Sequence, residues 1–332
     1  RTLDSQRETQ RFYMDRADTL YDYDVRRDDT ALSLSSITAL AYRPSPQTTY
    51  HLRGLWTHSA DDEVRIYEGQ NHNQTDAFTG QFLTTRGTRL NDVERDILSG
   101  SLEGRHDLRH VLNSTFEWRF SRSRASRLQP DRRETNYNLY YYPDANGDLV
   151  GTWTLASSGN REFGDLRDEG WGTVASWSVP FRLASLGNGK LIVGYDRQTK
   201  SRRSSYRRFG MVPSDTADVT RSPDSLFSPT QFTGKRYTGW IEENTLDVDN
   251  YRASSRIEAG YLSSDVPFGR RVRGTFGVRF EHGVQDVRSF DLFRPARITA
   301  HGFLDNLDWL PSANLTVEPI SAVNVRLGAS RT

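Results

Sequence analysis

The sequence predicts an all-β chain in which antiparallel strands follow one another up and down, and three observations predict it. Apolar and polar residues alternate with a period of two in segment after segment. The pattern is clearest in 271–281, where Val272, Gly274, Phe276, Val278 and Phe280 oppose Arg271, Arg273, Thr275, Arg279 and Glu281. A two-residue period is that of an extended strand with unlike faces. The connections between such segments alternate short and long, and no apolar run is long enough for a membrane helix.

Residues 1–30 are polar and carry the aromatic cluster Tyr21-Asp22-Tyr23; they read as one strand over 11–15 and a surface loop. The pattern begins at 31–42, with Leu32, Leu34, Leu40 and Tyr42 on one side. It turns at Pro44-Ser45-Pro46-Gln47 and returns over 50–56 with Tyr50, Leu52, Gly54 and Trp56 together. Prolines suit that turn because Pro cannot donate within a ladder. A polar excursion runs on to about residue 82. The second pair is 97–103 (Leu98, Gly100, Leu102) and 112–120 (Leu112, Phe116, Trp118, Phe120), joined by 104–108. A longer excursion, 121–169, contains Asp144-Ala145-Asn146-Gly147, whose Asn-Gly step signals a small hairpin standing off the main sheet.

The third pair is 171–181 (Trp171, Ala175, Trp177, Val179, Phe181) and 191–195 (Leu191, Val193, Tyr195). An excursion over 202–250 leads to 256–261, where Ile257, Ala259 and Tyr261 are expected on the apolar face, and then to 271–281. A polar loop over 289–308 precedes the last pair, 309–317 and 322–330, the second with Val323, Val325, Leu327 and Ala329 against Asn324, Arg326, Gly328 and Ser330. About ten or eleven strands are countable in this way.

Alternation alone fits either a soluble sandwich with its apolar side inward or a membrane barrel with the senses reversed. Three features favour an antiparallel up-and-down transmembrane β-barrel. Aromatic residues near the strand ends (Tyr42, Trp56, Phe120, Trp171, Phe181, Trp309) would form girdles at two membrane interfaces. Several strands have room to cross a bilayer, for which about 9 to 11 tilted residues are needed. The polar face carries ions of both signs in mid-strand, among them Glu117, Arg119, Arg273, Arg279, Glu281 and Arg326, which suits a wide aqueous lumen. Short turns on the periplasmic side and long loops outside are the arrangement of such barrels.

Composition narrows the function classes. The chain has 332 residues, is 35% hydrophobic and 11% aromatic, and carries a net charge of +1, so neither a nucleic-acid-binding basic excess nor an acidic disordered tail is present. Of 44 basic residues only Lys190, Lys200 and Lys235 are lysines. Arginine suits fixed pairing with carboxylates; a biased genomic base composition is the simpler source of the excess. Without cysteine there is no disulfide framework, thiolate metal site or thiol nucleophile. No signal peptide opens the sequence, which for an envelope protein implies a processed or truncated piece.

The run Trp309-Leu310-Pro311-Ser312-Ala313-Asn314-Leu315-Thr316, followed by Asn324-Val325-Arg326-Leu327-Gly328-Ala329-Ser330-Arg331-Thr332, resembles the late-barrel signature of TonB-dependent outer-membrane receptors. Gly277-Val278-Arg279-Phe280-Glu281, after the Asp265-Val266-Pro267-Phe268-Gly269 turn, is similar to the family's G-x-R-x-E strand. Residues 60–68 and Val93-Glu94-Arg95 resemble its mid-barrel stretches. The resemblance implies a bacterial outer-membrane protein embedded in lipid. It also implies energy-coupled import of a scarce solute, a metal chelate or an oligosaccharide, powered by a TonB-type protein. That partner engages a plug region and box that are not found within residues 1–332. The family's 22-stranded barrel would make 1–332 one partial barrel domain, about half.

Site residues are fewer. Tyr140, Tyr141 and Tyr142, with Trp153 across the expected hairpin, are the candidates for ligand contact, since exposed aromatics stack on flat or sugar-like ligands; packing of the loop is the competing use. His72, near Asp61, Asp62 and Glu63, has no regular metal-ligand spacing. Asp144-Ala145-Asn146-Gly147-Asp148 lacks the glycine position and final Glu of a calcium loop and reads as a turn. Asp247-Val248-Asp249-Asn250 reads as the start of a strand. No triad, paired carboxylates or phosphate-cradling loop stands out, so neither an enzyme nor a cofactor is expected. Two alternatives to the receptor stay open: a passive porin-like barrel and a soluble all-β binding or adhesive module.

Overall fold

The structure is a computed structural model that describes residues 2–13, 19–183, 186–232, 239–320 and 322–331. The described residues form one antiparallel sheet. Its strands are β1 (Thr2–Tyr13), β2 (Thr19–Ser45), β3 (Thr48–Thr75), β4 (Phe82–Leu108), β5 (Ser114–Pro143), β6 (Leu149–Leu155) and β7 (Gly159–Leu183), then β8 (Gly187–Pro213), β9 (Gly239–Glu243), β10 (Tyr251–Pro267), β11 (Val272–Phe290), β12 (Ile298–Ile320) and β13 (Val323–Ser330). The order is up and down, β1-β2-β3-β4-β5-β7-β8-β10-β11-β12-β13, with β6 beside β5 and β9 beside β8. That main path has the number of strands expected from the sequence. Two single helical turns, Pro223–Leu226 and Pro229–Phe232, are the helical content of the described residues. No described helix is long and apolar enough to cross a membrane, which says nothing about crossing with strands.

The strands are much longer than their alternating segments. β4 has 27 residues, about 90 Å at a rise of ~3.3 Å each. Residues 57–75, expected as a polar excursion, continue β3, and residues 121–143 continue β5. Residues 202–213 likewise continue β8, and the loop expected over 289–308 shrinks to 291–297. The first thirty residues, expected to be mostly loop, are strand in β1 and in β2 from Thr19; of the strand expected over 11–15, residues 14 and 15 lie outside the described residues. Apolar periodicity does not mark these outer strand halves because charged residues occupy both of their faces. The ladder and cross-strand ion pairs, such as Arg27 with Glu63 and Arg89 with Glu134, hold them instead.

Directly opposed residues in an antiparallel ladder share a face, so the register assigns every side chain. One face carries a continuous apolar band at the short-turn end: Tyr42 opposite Tyr50, Trp56 opposite Leu98, Leu102 opposite Phe120, Trp177 opposite Val193, Phe280 opposite Trp309, Leu315 opposite Leu327. These side chains are largely exposed, Leu40 at 60% and Leu327 at 61%. Nothing among the described residues packs over them. The upper edge of the band, marked by Trp56, Phe120 and Trp171, falls in mid-strand rather than near strand ends as the sequence suggested.

β10 corrects one assignment. Leu262 lies opposite Val193 and Val278, so it belongs to the apolar band, while Ile257, Ala259 and Tyr261 share the other face with Asp196, Arg279 and Glu281. In this strand the band side is filled by small Gly260 and Ser264, so counting apolar residues chose the wrong face.

The other face is concave. Ile37, Arg53, Ser101, Ser121, Gly172 and Gln198, from six neighbouring strands, line a single hollow of about 590 Å³. Residues two strands apart also meet on this side. Arg279 on β11 reaches Asp196 on β8 at 3.2 Å across Ala259, and Gln129 on β5 reaches the Tyr206 hydroxyl on β8 at 3.2 Å across Gly164. Most charges here are paired: Arg53 and Arg119 both hold Glu103, at 2.9 and 3.0 Å, and Arg105 holds Glu117 at 2.9 Å. Ile37, 80% exposed, is the clearest apolar exception.

The long connection between β8 and β10 is tied down by Asn250, 1% exposed. Its Oδ1 accepts from Tyr206 N at 3.2 Å and its Nδ2 donates to Tyr206 O at 3.1 Å, so the side chain extends the β8–β10 ladder beyond Tyr251. Asn250→Ala strips both partners at once and is expected to cost about 1–3 kcal/mol, read as a lower denaturant midpoint at unchanged slope.

Candidate ligand cleft on the concave face

The upper half of the concave face, beyond the apolar band, holds an aromatic row. Phe12 on β1 lies edge-on to Tyr21 at 6.2 Å between ring centroids, Tyr21 stacks on Tyr23 at 5.4 Å, and Tyr23 leans on Tyr67 at 5.1 Å. The strand period places them: Tyr21 and Tyr23 are two apart on β2, and Tyr67 follows on β3. Tyr67 then crosses β4 and donates to Asn136 Oδ1 on β5 at 2.6 Å. It can do so because β4 has a glycine there; a Cβ at Gly87 would run into the ring. Asn138, 4% exposed, accepts from Thr85 Oγ1 at 2.7 Å and donates to Gln74 at 3.1 Å. Together these residues bound a cleft of about 610 Å³, with Arg65, Arg89 and Gln10 also on its wall.

Electrostatics set the cleft apart. Burial pushes the Tyr23 phenol up to about 12, with Tyr67 and Tyr21 adding to it, and burial raises Tyr67 too, so both hydroxyls are neutral donors at ordinary pH. Beside them runs a ladder of alternating charge. Arg89 holds Glu134 in a fork at 3.0 and 3.2 Å, Arg132 bridges Glu134 and Glu162 at 2.9 and 2.7 Å, and Tyr206 donates to Glu162 at 2.6 Å. Burial works to raise the Glu134 carboxyl, but hydrogen bonds and charge from Arg89 and Arg132 outweigh it and hold the group below the ordinary carboxylate range.

The aromatic residues expected to contact ligand do not form one site. Tyr140 and Tyr142 share the concave face, with ring centroids 6.4 Å apart, while Trp153, opposite Leu139, and Tyr141 take the convex one. Trp153 lies under the Arg86 guanidinium, 4.3 Å from its ring centre, and Tyr142 meets Phe78 at 6.1 Å. Tyr141 N donates to Asp76, whose carboxylate also caps the Phe78-Thr79 turn. Of the four, Tyr140 comes nearest the cleft, its hydroxyl 3.4 Å from Asn138 Nδ2. The expected hairpin is present: Asp144 Oδ1 accepts from Asn146 N and Asp148 N at 2.8 and 2.9 Å, and Gly147 takes φ +87°. His72 sits within β3 and lies 4.4 Å from the Phe82 ring, and Asp249 pairs with Arg208 just ahead of β10.

The row from Phe12 to Tyr67 escaped sequence reading because its members come from three strands. The available signal is the i, i+2 spacing of Tyr21 and Tyr23, in a stretch whose polarity reads as a surface loop.

No family profile and no curated protein sequence matches the chain. Among solved structures it is similar to the ferric citrate transporter FecA in its unliganded form, at 12% identity and a TM-score of 0.36, covering 90% of this chain and 44% of that one. It is also similar to the siderophore receptor PiuA from Acinetobacter baumannii, at 7% identity and a TM-score of 0.38, covering 96% and 47%. The chain spans less than half the length of either.

Glu134 gives a pH test. A carboxyl whose folded pKa is depressed contributes stability above its unfolded value, about 4.3, and that contribution is lost as pH falls through the folded value. Glu134→Gln is therefore expected to flatten the loss of stability between about pH 4 and the acid limit, measured as denaturation midpoint against pH. An unchanged acid limb would mean that Glu134 does not bridge Arg89 and Arg132.

Proposed function

We propose that the chain is part of the barrel wall of a bacterial outer-membrane receptor, with the convex band in lipid, the concave face on a lumen and the longer connections outside. One observation carries this reading: the large apolar side chains point outward from a curved sheet, while the paired charges point inward. A soluble sheet protein places them the other way, because its core is the side shielded from water. The band is also about the height of a bilayer's hydrocarbon. On β11 it runs from Val272 to Phe280, nine residues by number, and about 9 to 11 tilted residues are needed.

In this reading the receptor captures a scarce solute, a metal chelate or an oligosaccharide, at the concave face for energy-coupled import. A TonB-type energy-transducing protein, acting on a plug region outside 1–332, supplies the coupling; the motif resemblance supports that part. The role is capture and passage rather than catalysis.

The test is stability in lipid. Phe276, 44% exposed at the centre of the band, should cost about 2–4 kcal/mol when changed to arginine in a bilayer. Arg273 faces the lumen and holds Asp265 through two bonds of 2.6 and 2.7 Å. As an exposed pair it contributes about 0–1 kcal/mol, so Arg273→Ser should be nearly silent. Equal costs for the two, or a chain that stays folded and monodisperse without detergent, would contradict the membrane assignment and favour a soluble binding module.

A further inference from the structure

The cleft carries a charge imbalance. Many arginines elsewhere on the concave wall face carboxylates: Arg53 and Arg119 hold Glu103, Arg202 holds Asp168, and Arg279 holds Asp196 and Glu281. The wall of the cleft contains two arginines and neither aspartate nor glutamate. Arg89 is engaged by Glu134 at the margin. Arg65 is not so engaged: among the described residues it has no ion-pair partner, and its guanidinium donates to the neutral amide of Gln10. Its Nε is buried without a hydrogen-bond partner. A buried Nε–H left without an acceptor is destabilising until one arrives, and a carboxylate or comparable anion fits the guanidinium fork best.

Beside Arg65 stand the rings of Tyr21, Tyr23 and Tyr67, half-buried and already held against one another. Preordered rings lose little entropy on binding and offer flat faces and edges to a second flat group. The cleft volume of about 610 Å³ falls within the range of small-molecule sites, roughly 300–1,000 Å³.

We propose that this cleft binds an anion carried on a flat ring, with the anionic group paired to Arg65 and the ring laid along Tyr21, Tyr23 and Tyr67. The inference rests on the receptor reading in taking the concave face as the ligand side. It narrows that reading, because an anionic chelate satisfies Arg65 and a neutral oligosaccharide does not. A cationic solute is disfavoured by the same residue.

The probe is 2-naphthoate, compared with neutral 2-naphthamide of the same shape, each titrated into the detergent-solubilised protein and followed by ligand-observed NMR. Naphthoate is expected to bind at least about tenfold more tightly, equivalent to about 1.4 kcal/mol. Arg65→Gln should abolish that preference, Arg65→Lys should retain part of it, and Tyr23→Leu should weaken both probes. Equal binding of the two probes by the unmodified protein overturns the proposal. So does an undiminished preference in Arg65→Gln protein that keeps its strand circular dichroism. If Arg65→Gln does not fold, the comparison on the unmodified protein decides alone. Equal binding in a protein that still requires detergent counts against the cleft and leaves the receptor reading standing. A preference retained in a chain that is soluble without detergent does the reverse.

Discussion

A single curved sheet whose apolar band has no described residue packed over it depends on its backbone ladder. In an ordinary domain a second layer covers the apolar side; here seven apolar residues, among them Val25, Leu83, Val93 and Ala259, are buried among the described residues, too few to make a core. The strands must therefore satisfy their donors and acceptors sideways, and the up-and-down order does this with each main-path strand beside its neighbours in sequence. In the bilayer proposed for it such a ladder has its full value, because an unpaired peptide group there has no water to turn to. On that reading the exposed apolar band and the ladder are two consequences of one setting.

Curvature does the rest. Bending the sheet brings together side chains that a flat sheet would keep two strands apart, and small residues make the room: Gly87 under Tyr67, Gly164 between Gln129 and Tyr206, Ala259 between Asp196 and Arg279. These contacts brace the concave wall, and one of them, Tyr67 to Asn136, also shapes the cleft. The charge ladder from Arg89 through Glu134 and Arg132 to Glu162 borders the cleft and neutralises itself. Arg65 remains the cleft's free cation among the described residues, with an aromatic row beside it.

The fold class was legible because one face of the short-turn half is apolar, which prints a two-residue period on the sequence from Leu32 to Ala329. The outer strand halves were not, since Asp28, Arg65 or Glu134 alternate only in which partner they meet. Hydropathy does not record that difference. β10 shows the limit from the other side: Leu262 is the band's main apolar contribution there, and only its neighbours Val193 and Val278 fix which way it points. The candidate site was read in part. Tyr140 borders the cleft, but Tyr141 and Trp153 turn to the opposite face, because an i, i+1 aromatic run on a strand must divide between faces. The cleft itself needs register across five strands.

Five of the seven tryptophans, Trp56, Trp118, Trp171, Trp177 and Trp309, stand on the convex band by register, while Trp153 lies on the same face beyond it and Trp240 lies opposite Val212 far from it. Single-tryptophan proteins reconstituted in bilayers whose acyl chains carry bromine therefore give the most direct measurement. A lipid-facing band predicts strong fluorescence quenching at Trp177 and Trp309 and little at Trp153 or Trp240. Unquenched Trp177 and Trp309, or quenching equal at all four positions, would contradict it.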